Sequence, residues 1–99
     1  MALPAIDNEF LVDFLANLLN TPSPTGFAHQ ALAFTELTLS VFPEVQLSYT
    51  RKGALVAVVP GESDDARRAL TAHVDTLGLM VREIKSSGRL KTSPIGGIM

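Results

Sequence analysis

The sequence contains no cysteine, no long apolar run and no block of basic residues. Without cysteine, the chain can form neither a disulfide nor a thiolate metal site. The longest apolar stretch, residues 54–60, is far too short to cross a bilayer, so we expect no membrane partner. The N-terminus has no positively charged segment and reaches an acidic residue at Asp7, which argues against a secretory signal. We therefore expect a soluble, cytoplasmic protein.

The charge balance excludes a further class of partner. Eight Lys and Arg residues stand against ten Asp and Glu residues, and the densest basic spots are the pairs at 51–52 and 67–68. Nucleic-acid binding requires a concentrated basic surface, so we expect no nucleic-acid partner. A length of 99 residues with 46% hydrophobic content fits one small domain with a modest core.

The first half of the chain has the periodicity of helices. Apolar residues recur at spacings of three and four from Asp7 to about Leu19, and Asp7 or Asn8 can cap the start. Two prolines follow shortly afterwards and end this helix. Thr25 is then predicted to cap a second helix that runs to about Val41. The inner face of the second helix is predicted to consist of Ala28, Ala31, Leu32, Thr35 and Leu39.

The second half changes to the pattern of strands. Residues 45–49 alternate between apolar and polar, and residues 54–59 form a continuous apolar strand that we expect to be buried on both faces. A third strand is predicted over residues 69–74. A fourth, over residues 77–84, is predicted to form a hairpin with residues 90–92. Helices followed by strands indicate an α/β arrangement.

The predicted elements do not complete a fold by themselves. A sheet with apolar central strands needs cover on both faces, and two helices can cover one face at best. The sequence also stops just after a turn signal, with no closing helix. We therefore expect these residues to be one portion of a larger fold.

Residues 70–78 carry the clearest chemical signal. The predicted third strand delivers His73 near its C-terminal end, where ligands gather in α/β folds, and Asp75 follows two residues later. Neutral imidazole is a good ligand for zinc or cobalt, and a nearby carboxylate can hold its ring in one tautomer. Taken alone, this spacing favours a strand-end histidine paired with a loop aspartate over a metal site, because a zinc site needs three or four protein ligands.

Other polar residues are interpreted as structural. His29 is expected on the surface of the second helix or in helix packing, and Asp64 and Asp65 lie in a polar loop typical of a solvated connector. Ser23 and Thr25 stand beside prolines with no base in view, so we assign them no nucleophilic role.

The order of several motifs resembles one enzyme family. Residues 71–81 read Thr-Ala-His-Val-Asp-Thr-Leu-Gly-Leu-Met-Val, and a charged hairpin and a Pro-Ile-Gly-Gly element at 94–97 follow them. This arrangement resembles the glutamyl and tetrahedral aminopeptidases, two-metal exopeptidases formerly called cellulases. The Pro-Ser-Pro-Thr-Gly loop at 22–26 and the run at 52–57 resemble family elements in the same order. The resemblance spans almost the whole chain.

The resemblance implies a fold and its division. The chain would be the N-terminal portion of a zinc-exopeptidase-like α/β sandwich, with two helices followed by the strands of a mixed β-sheet. Residues 1–76 would be the N-terminal part of the peptidase catalytic domain. Residues 77–99 would be the opening hairpin of an inserted β-rich domain that is used for assembly into a homo-oligomer.

The resemblance also implies an activity and residue roles. His73 would be a metal ligand of one of two divalent ions, zinc or cobalt, and Asp75 would be the catalytic acidic residue that supports this histidine. Such an enzyme hydrolyses N-terminal residues from a peptide substrate by means of a water that the two metals activate. The glutamate base and the remaining ligands would lie beyond position 99, so the 99-residue chain alone is expected to be inactive.

Three alternatives stay open at this point. Thr76 stands where this family commonly has glutamate, and His-x-Asp-Thr is typical of the related two-metal carboxypeptidases and deacylases, whereas residues 78–81 and 94–97 favour the aminopeptidases. Residues 51–57 and 83–86 resemble a subgroup linked to an acetylated glutamine-dipeptide osmoprotectant. The third alternative is a non-catalytic assembly domain derived from the same fold.

Overall fold

The structure is a computed structural model that describes residues 2–97, and it contains two helices followed by four strands. In chain order these are α1 Asn8–Leu19, α2 His29–Leu39, β1 Gln46–Tyr49, β2 Leu55–Val58, β3 Gly78–Ile84 and β4 Leu90–Ile95. The predicted combination of helices and strands is confirmed. The strands pair as two separate antiparallel hairpins, β1 with β2 and β3 with β4.

Helix α1 has the start and the end that its sequence predicts. The carboxylate of Asp7 accepts a hydrogen bond of 3.0 Å from the backbone N–H of Phe10, which satisfies one of the unpaired donors of the first turn. At the other end, the side-chain amide of Asn20 donates to the carbonyl of Ala16 at 2.8 Å. Of the two candidate caps, Asp7 is the one used.

Helix α2 begins later than predicted, and the assignment of Thr25 as its cap is wrong. The N-cap position is Ala28, and within residues 2–97 no side chain caps this helix. Gly26 has a φ of 87°, in the left-handed region that a right-handed helix cannot include. The chain turns there, with the Phe27 N–H donating to the Pro24 carbonyl at 2.8 Å, and helical geometry starts only afterwards.

The two helices pack through aromatic rings. The ring of Phe14 stacks on that of Phe34 on the facing helix with a centroid distance of 5.4 Å, and Phe10 lies 6.3 Å from Phe14 on the same helix. Ala31 of α2 is fully buried, as its place on the predicted inner face requires. The other predicted inner residues of α2 are half-buried: Ala28, Leu32, Thr35 and Leu39.

Strands β1 and β2 form a hairpin that is tied to α2. Its turn is closed by the Thr50 N–H, which donates to the Ala54 carbonyl at 2.9 Å, and by Gly53 with a φ of 87°. The Tyr49 hydroxyl donates to the Glu36 carboxylate at 2.7 Å. The expectation that residues 54–59 are buried on both faces is wrong, since Val59 is 67% exposed. In the part of the chain described, a two-stranded sheet has little to cover its second face.

Strands β3 and β4 form the hairpin predicted from the sequence. The ladder shifts register between Val81 and Glu83, and the turn is closed by the Lys85 N–H, which donates to the Arg89 carbonyl at 2.9 Å. Gly88, with a φ of 80°, supplies the left-handed turn position. Most side chains on both faces of this hairpin are exposed. The predicted domain boundary after residue 76 stays a prediction.

The third predicted strand is not formed. Residues 69–74 are not part of any strand of the described chain, and Leu70 is completely exposed. The apolar pattern of this segment suits a buried central strand, but a strand needs a neighbour for its backbone groups. Within residues 2–97, no strand pairs with it. The segment is therefore not part of a sheet.

Few residues are buried in this arrangement. Among the residues described, Ala31 and Ser23 are the buried ones, with 0% and 3% of their surface exposed, and the molecule extends over 64 × 33 × 25 Å. Large apolar side chains such as Leu19, Val59 and Leu79 remain exposed. None of the helices within residues 2–97 is long and apolar enough to span a membrane.

Candidate metal-ligand site

The site begins where a proline-rich loop pairs with the segment that carries the histidine. The Thr76 N–H donates to the Ser23 carbonyl at 2.8 Å, and the Thr25 N–H donates to the Thr76 carbonyl at 3.3 Å. These two bonds form an isolated parallel bridge between Pro24 and Thr76. The bridge brings residues about fifty positions apart in the sequence into one small cluster.

Ser23 anchors this pairing from the interior. Its hydroxyl donates to the Val74 carbonyl at 2.8 Å, and the residue is only 3% exposed. A buried hydroxyl without a partner would be costly, and here it is paired with a carbonyl that belongs to the histidine-carrying segment. The loop is therefore fixed to the segment by side chain and backbone together.

His73 is held by Asp75 through one nitrogen of its ring. The Nδ1 atom lies 2.9 Å from Asp75 Oδ1 and 3.0 Å from the Asp75 backbone carbonyl. A carbonyl oxygen can only accept a hydrogen bond, so Nδ1 is the donor and carries the proton. In the neutral ring the lone pair then lies on Nε2. That atom has no hydrogen-bond partner within residues 2–97, and the His73 side chain is 83% exposed.

Asp75 accepts hydrogen bonds on both of its carboxylate oxygens. The Thr25 hydroxyl donates to Oδ2 at 2.7 Å, while Oδ1 faces the ring of His73. The Thr25 hydrogen bond, and after it the His73 hydrogen bond, lowers the pKa of Asp75, against a smaller opposing effect of burial. Asp75 is therefore ionised at neutral pH and can serve as the acceptor for His73.

The geometry fits one ligand of a metal site. A histidine whose Nδ1 donates to a carboxylate presents Nε2 as a metal ligand in many proteins, and the carboxylate fixes the orientation of the ring. Asp75 is engaged on both oxygens, so it occupies the supporting position. Among the residues described, no group of three or more His, Asp or Glu side chains could hold a metal ion. The roles predicted for His73 and Asp75 stay predictions.

Two contributors to this cluster were not identified from the sequence. The sequence predicts Thr25 as a helix cap and gives Ser23 no role, because nothing in the local pattern links residues 23–25 with residues 74–76. The one available signal was the resemblance of the Pro-Ser-Pro-Thr-Gly loop to a family element. His29 packs its ring against Phe27 at a centroid distance of 4.4 Å and lies outside the cluster.

Comparison with known proteins finds that this chain is similar to proteins named as aminopeptidases. The chain is 43% identical over 86 residues to the protein named "Putative aminopeptidase YhfE" of Bacillus subtilis (strain 168), covering 87% of this chain. It is 27% identical over 89 residues to the lysyl aminopeptidase of Pyrococcus furiosus, covering 88% of this chain. Residues 53–99 match the family model described as M42 glutamyl aminopeptidase. The resemblance of this chain to the M42 glutamyl aminopeptidases is confirmed.

The chain spans about a quarter of the length of these curated relatives, since it covers 25% of each of them. Its Ser23–Thr25 loop lies before the part matched by the family model, whereas His73 and Asp75 lie inside that part.

Proposed function

We propose that this chain contributes the first metal-binding histidine to a metal-dependent aminopeptidase that removes N-terminal residues from peptides. The observation that carries the proposal is the arrangement of His73 and Asp75. The ring is held by its Nδ1 atom and presents Nε2 outward, within the segment that matches the aminopeptidase family model. The proposal is supported by two relatives that are named aminopeptidases.

The proposal includes two divalent metal ions, zinc or cobalt, which when bound would polarise the scissile carbonyl and acidify a water molecule. His73 would hold one of them through Nε2. Asp75 would accept the Nδ1 proton of His73 and keep the imidazole in the tautomer that leaves Nε2 free. The Thr25 hydroxyl would keep the carboxylate in place.

The remaining ligands and the general base belong, in this proposal, to residues outside the 99 of this chain. One histidine with one supporting carboxylate is an incomplete site, because zinc in proteins takes three or four protein ligands. We therefore expect the 99-residue chain alone to bind divalent metal weakly and to be inactive on peptides. Isothermal titration with zinc measures this, and tight one-to-one binding would contradict it.

A related two-metal carboxypeptidase or deacylase is the second candidate function, and the observation in its favour is Thr76. The backbone of Thr76 forms the bridge to the loop at Ser23 and Thr25, while its exposed side chain makes no hydrogen bond within residues 2–97. The geometry around Thr76 thus suits either reaction, and the family match favours the aminopeptidase. A non-catalytic assembly role for this fold is the third candidate.

The proposal extends to assembly and location. The hairpin of β3 and β4 has exposed strand edges and exposed apolar side chains such as Leu79 and Val81, which are features of a surface that pairs with other chains. A homo-oligomer is therefore part of the proposal, which also keeps the cytoplasmic location expected from the sequence. Analytical ultracentrifugation of the complete gene product tests the assembly.

The activity is tested by a comparison of substrates on the complete gene product. We expect hydrolysis of peptides with a free N-terminus, including lysyl peptides because one relative is named a lysyl aminopeptidase. We expect no hydrolysis of the same peptides with an acetylated N-terminus. His73→Ala should abolish the activity, and His29→Ala, which changes the only other histidine of this chain, should leave it intact. Cleavage of acetylated amino acids instead would favour the deacylase.

A further inference from the structure

Both oxygens of the Asp75 carboxylate accept a hydrogen bond, and one of the two donors, Thr25, has no assigned role. Oδ1 lies 2.9 Å from His73 Nδ1, and Oδ2 accepts a 2.7 Å hydrogen bond from the Thr25 hydroxyl. The terminal torsion of aspartate is broad and roughly two-fold, so a carboxylate with a single partner can rotate. The second hydrogen bond restricts that rotation.

Thr25 is itself held in place on both sides. The Thr25 N–H donates to the Thr76 carbonyl at 3.3 Å. Two residues earlier in the chain, Ser23 is buried, and its hydroxyl donates to the Val74 carbonyl at 2.8 Å. The loop also packs closely, since a Cβ atom added at Gly78 would lie 2.8 Å from the Cβ of Pro24. The hydroxyl of Thr25 therefore has a fixed position relative to Asp75.

We propose that Thr25 is a positioning residue, whose hydroxyl orients Asp75 so that the carboxylate holds His73 in the Nδ1–H tautomer. The relevance of this inference to catalysis rests on the proposed function. Free neutral histidine favours the opposite tautomer, with the proton on Nε2. The contacts of Thr25 and Asp75 thus reverse the intrinsic preference and leave the Nε2 lone pair available to a metal.

The test measures the tautomer of His73 directly, in the metal-free 99-residue chain with ¹⁵N-labelled histidine. The chain has two histidines, so His29 serves as an internal reference that lies outside the cluster. Long-range ¹H–¹⁵N spectra of the labelled chain are recorded at alkaline pH. The unmodified chain should show His73 predominantly as the Nδ1–H tautomer.

Three variants separate positioning from a general loss of structure. Thr25→Val keeps the shape but removes the donor, and it should shift His73 toward the Nε2–H tautomer. Thr25→Ser retains a hydroxyl and should restore the tautomer of the unmodified chain. Thr21→Val is the matched control, because it removes another 2.8 Å hydroxyl hydrogen bond, to the Asn17 carbonyl, at the base of the same loop. It should leave His73 unchanged.

A second measurement on the complete gene product covers the case in which Thr25→Val impairs folding of the short chain. In that protein, Thr25→Val should weaken the binding of zinc about tenfold, which is the lower end of the effect of residues that support a metal ligand by hydrogen bonds. Thr25→Ser should restore the zinc affinity.

The inference is overturned if the unmodified chain shows the tautomer of free histidine, or if Thr25→Val changes neither the tautomer nor the zinc affinity. A peptidase that is active although Thr25→Val changes nothing would refute the positioning role alone. A shifted tautomer in a protein without peptidase activity would refute the proposed function alone.

Discussion

Replacing Ser23 by alanine removes a part-buried side-chain hydrogen bond that joins the proline-rich loop to the histidine-carrying segment. The Ser23 hydroxyl donates to the Val74 carbonyl at 2.8 Å and is 3% exposed, so Ser23→Ala leaves that carbonyl without this donor in a partly buried place. A neutral hydrogen bond contributes about 1 kcal/mol net, and an acceptor left unsatisfied raises the cost toward about 2 kcal/mol. The two backbone bonds of the bridge remain.

The expected effect is local and can be read at one amide. A loss of about 1 to 2 kcal/mol corresponds to an increase of about 5- to 30-fold in the population of the opened state. The Thr76 N–H, which donates to the Ser23 carbonyl, should exchange with solvent faster by that factor in Ser23→Ala. Native-state hydrogen exchange followed by NMR measures it.

The matched control is Ser87→Ala, which makes the same chemical change in the exposed turn between β3 and β4. No hydrogen bond of the Ser87 side chain is present in the described part of the chain, so exchange at Thr76 should be unaltered there. If Ser23→Ala leaves the Thr76 amide as protected as before, the loop is not held to the segment by this hydroxyl, and the reasoning fails.

Three further predictions concern the hairpins and the charged pairs. The Glu36 hydrogen bond raises the pKa of Tyr49 above 10.0, and Glu36→Gln should lower it; the only tyrosine in a chain without tryptophan gives a clean absorbance titration. Because the folded pKa of Tyr49 is the higher one, its contribution to stability is present below pH 10.0 and is lost as the pH rises through the folded pKa. The pKa of Asp75 is lowered from 3.8, so its contribution to stability is present above pH 3.8 and is lost as the pH falls through the folded pKa. An NMR titration of the Asp75 carboxyl carbon should show a midpoint below 3.8, and a midpoint above 3.8 would contradict this prediction. Gly88→Ala places a side chain at a φ of 80° in open space, so the hairpin of β3 and β4 should lose about 1 to 2 kcal/mol from backbone strain alone, measured by amide exchange, and an unchanged exchange rate would contradict this.

The elements that the sequence predicted correctly are those that local chemistry determines. Helix α1 has an amphipathic repeat and an aspartate positioned to cap it, and Asp7 does so. The hairpin of β3 and β4 has two extended runs and a turn glycine at position 88, and it forms with that glycine in the left-handed region. Each of these signals lies within a few residues of the structure it produces.

The predictions that failed depend on contacts between distant parts of the chain. Thr25 has the residue type of a helix cap, but Gly26 turns the chain first, and the hydroxyl reaches Asp75, fifty residues away. The apolar run at residues 69–74 has the composition of a central strand, yet a strand also needs neighbouring strands, and none of the described strands pairs with it. The residue types of a segment show which structures it can form, whereas its contacts with distant residues decide which of them it forms.

The same distinction applies to the candidate site. The spacing of His73 and Asp75 predicted that a carboxylate could hold the ring, and their contact at 2.9 Å agrees with that interpretation. The sequence did not predict that Asp75 also accepts a hydrogen bond from Thr25, or that the Ser23 hydroxyl joins the loop to the Val74 carbonyl. A supporting contact of this kind leaves no local pattern, because its two halves are far apart in the chain.

The most direct test of His73 as a metal ligand is the metal content of the complete gene product, measured by elemental analysis after dialysis against trace zinc. The unmodified protein should retain two ions for each chain, His73→Ala should retain fewer, and His29→Ala should match the unmodified protein. Full metal content in His73→Ala would show that the outward-facing Nε2 atom binds no metal, and the proposed role of this chain in an aminopeptidase site would be wrong.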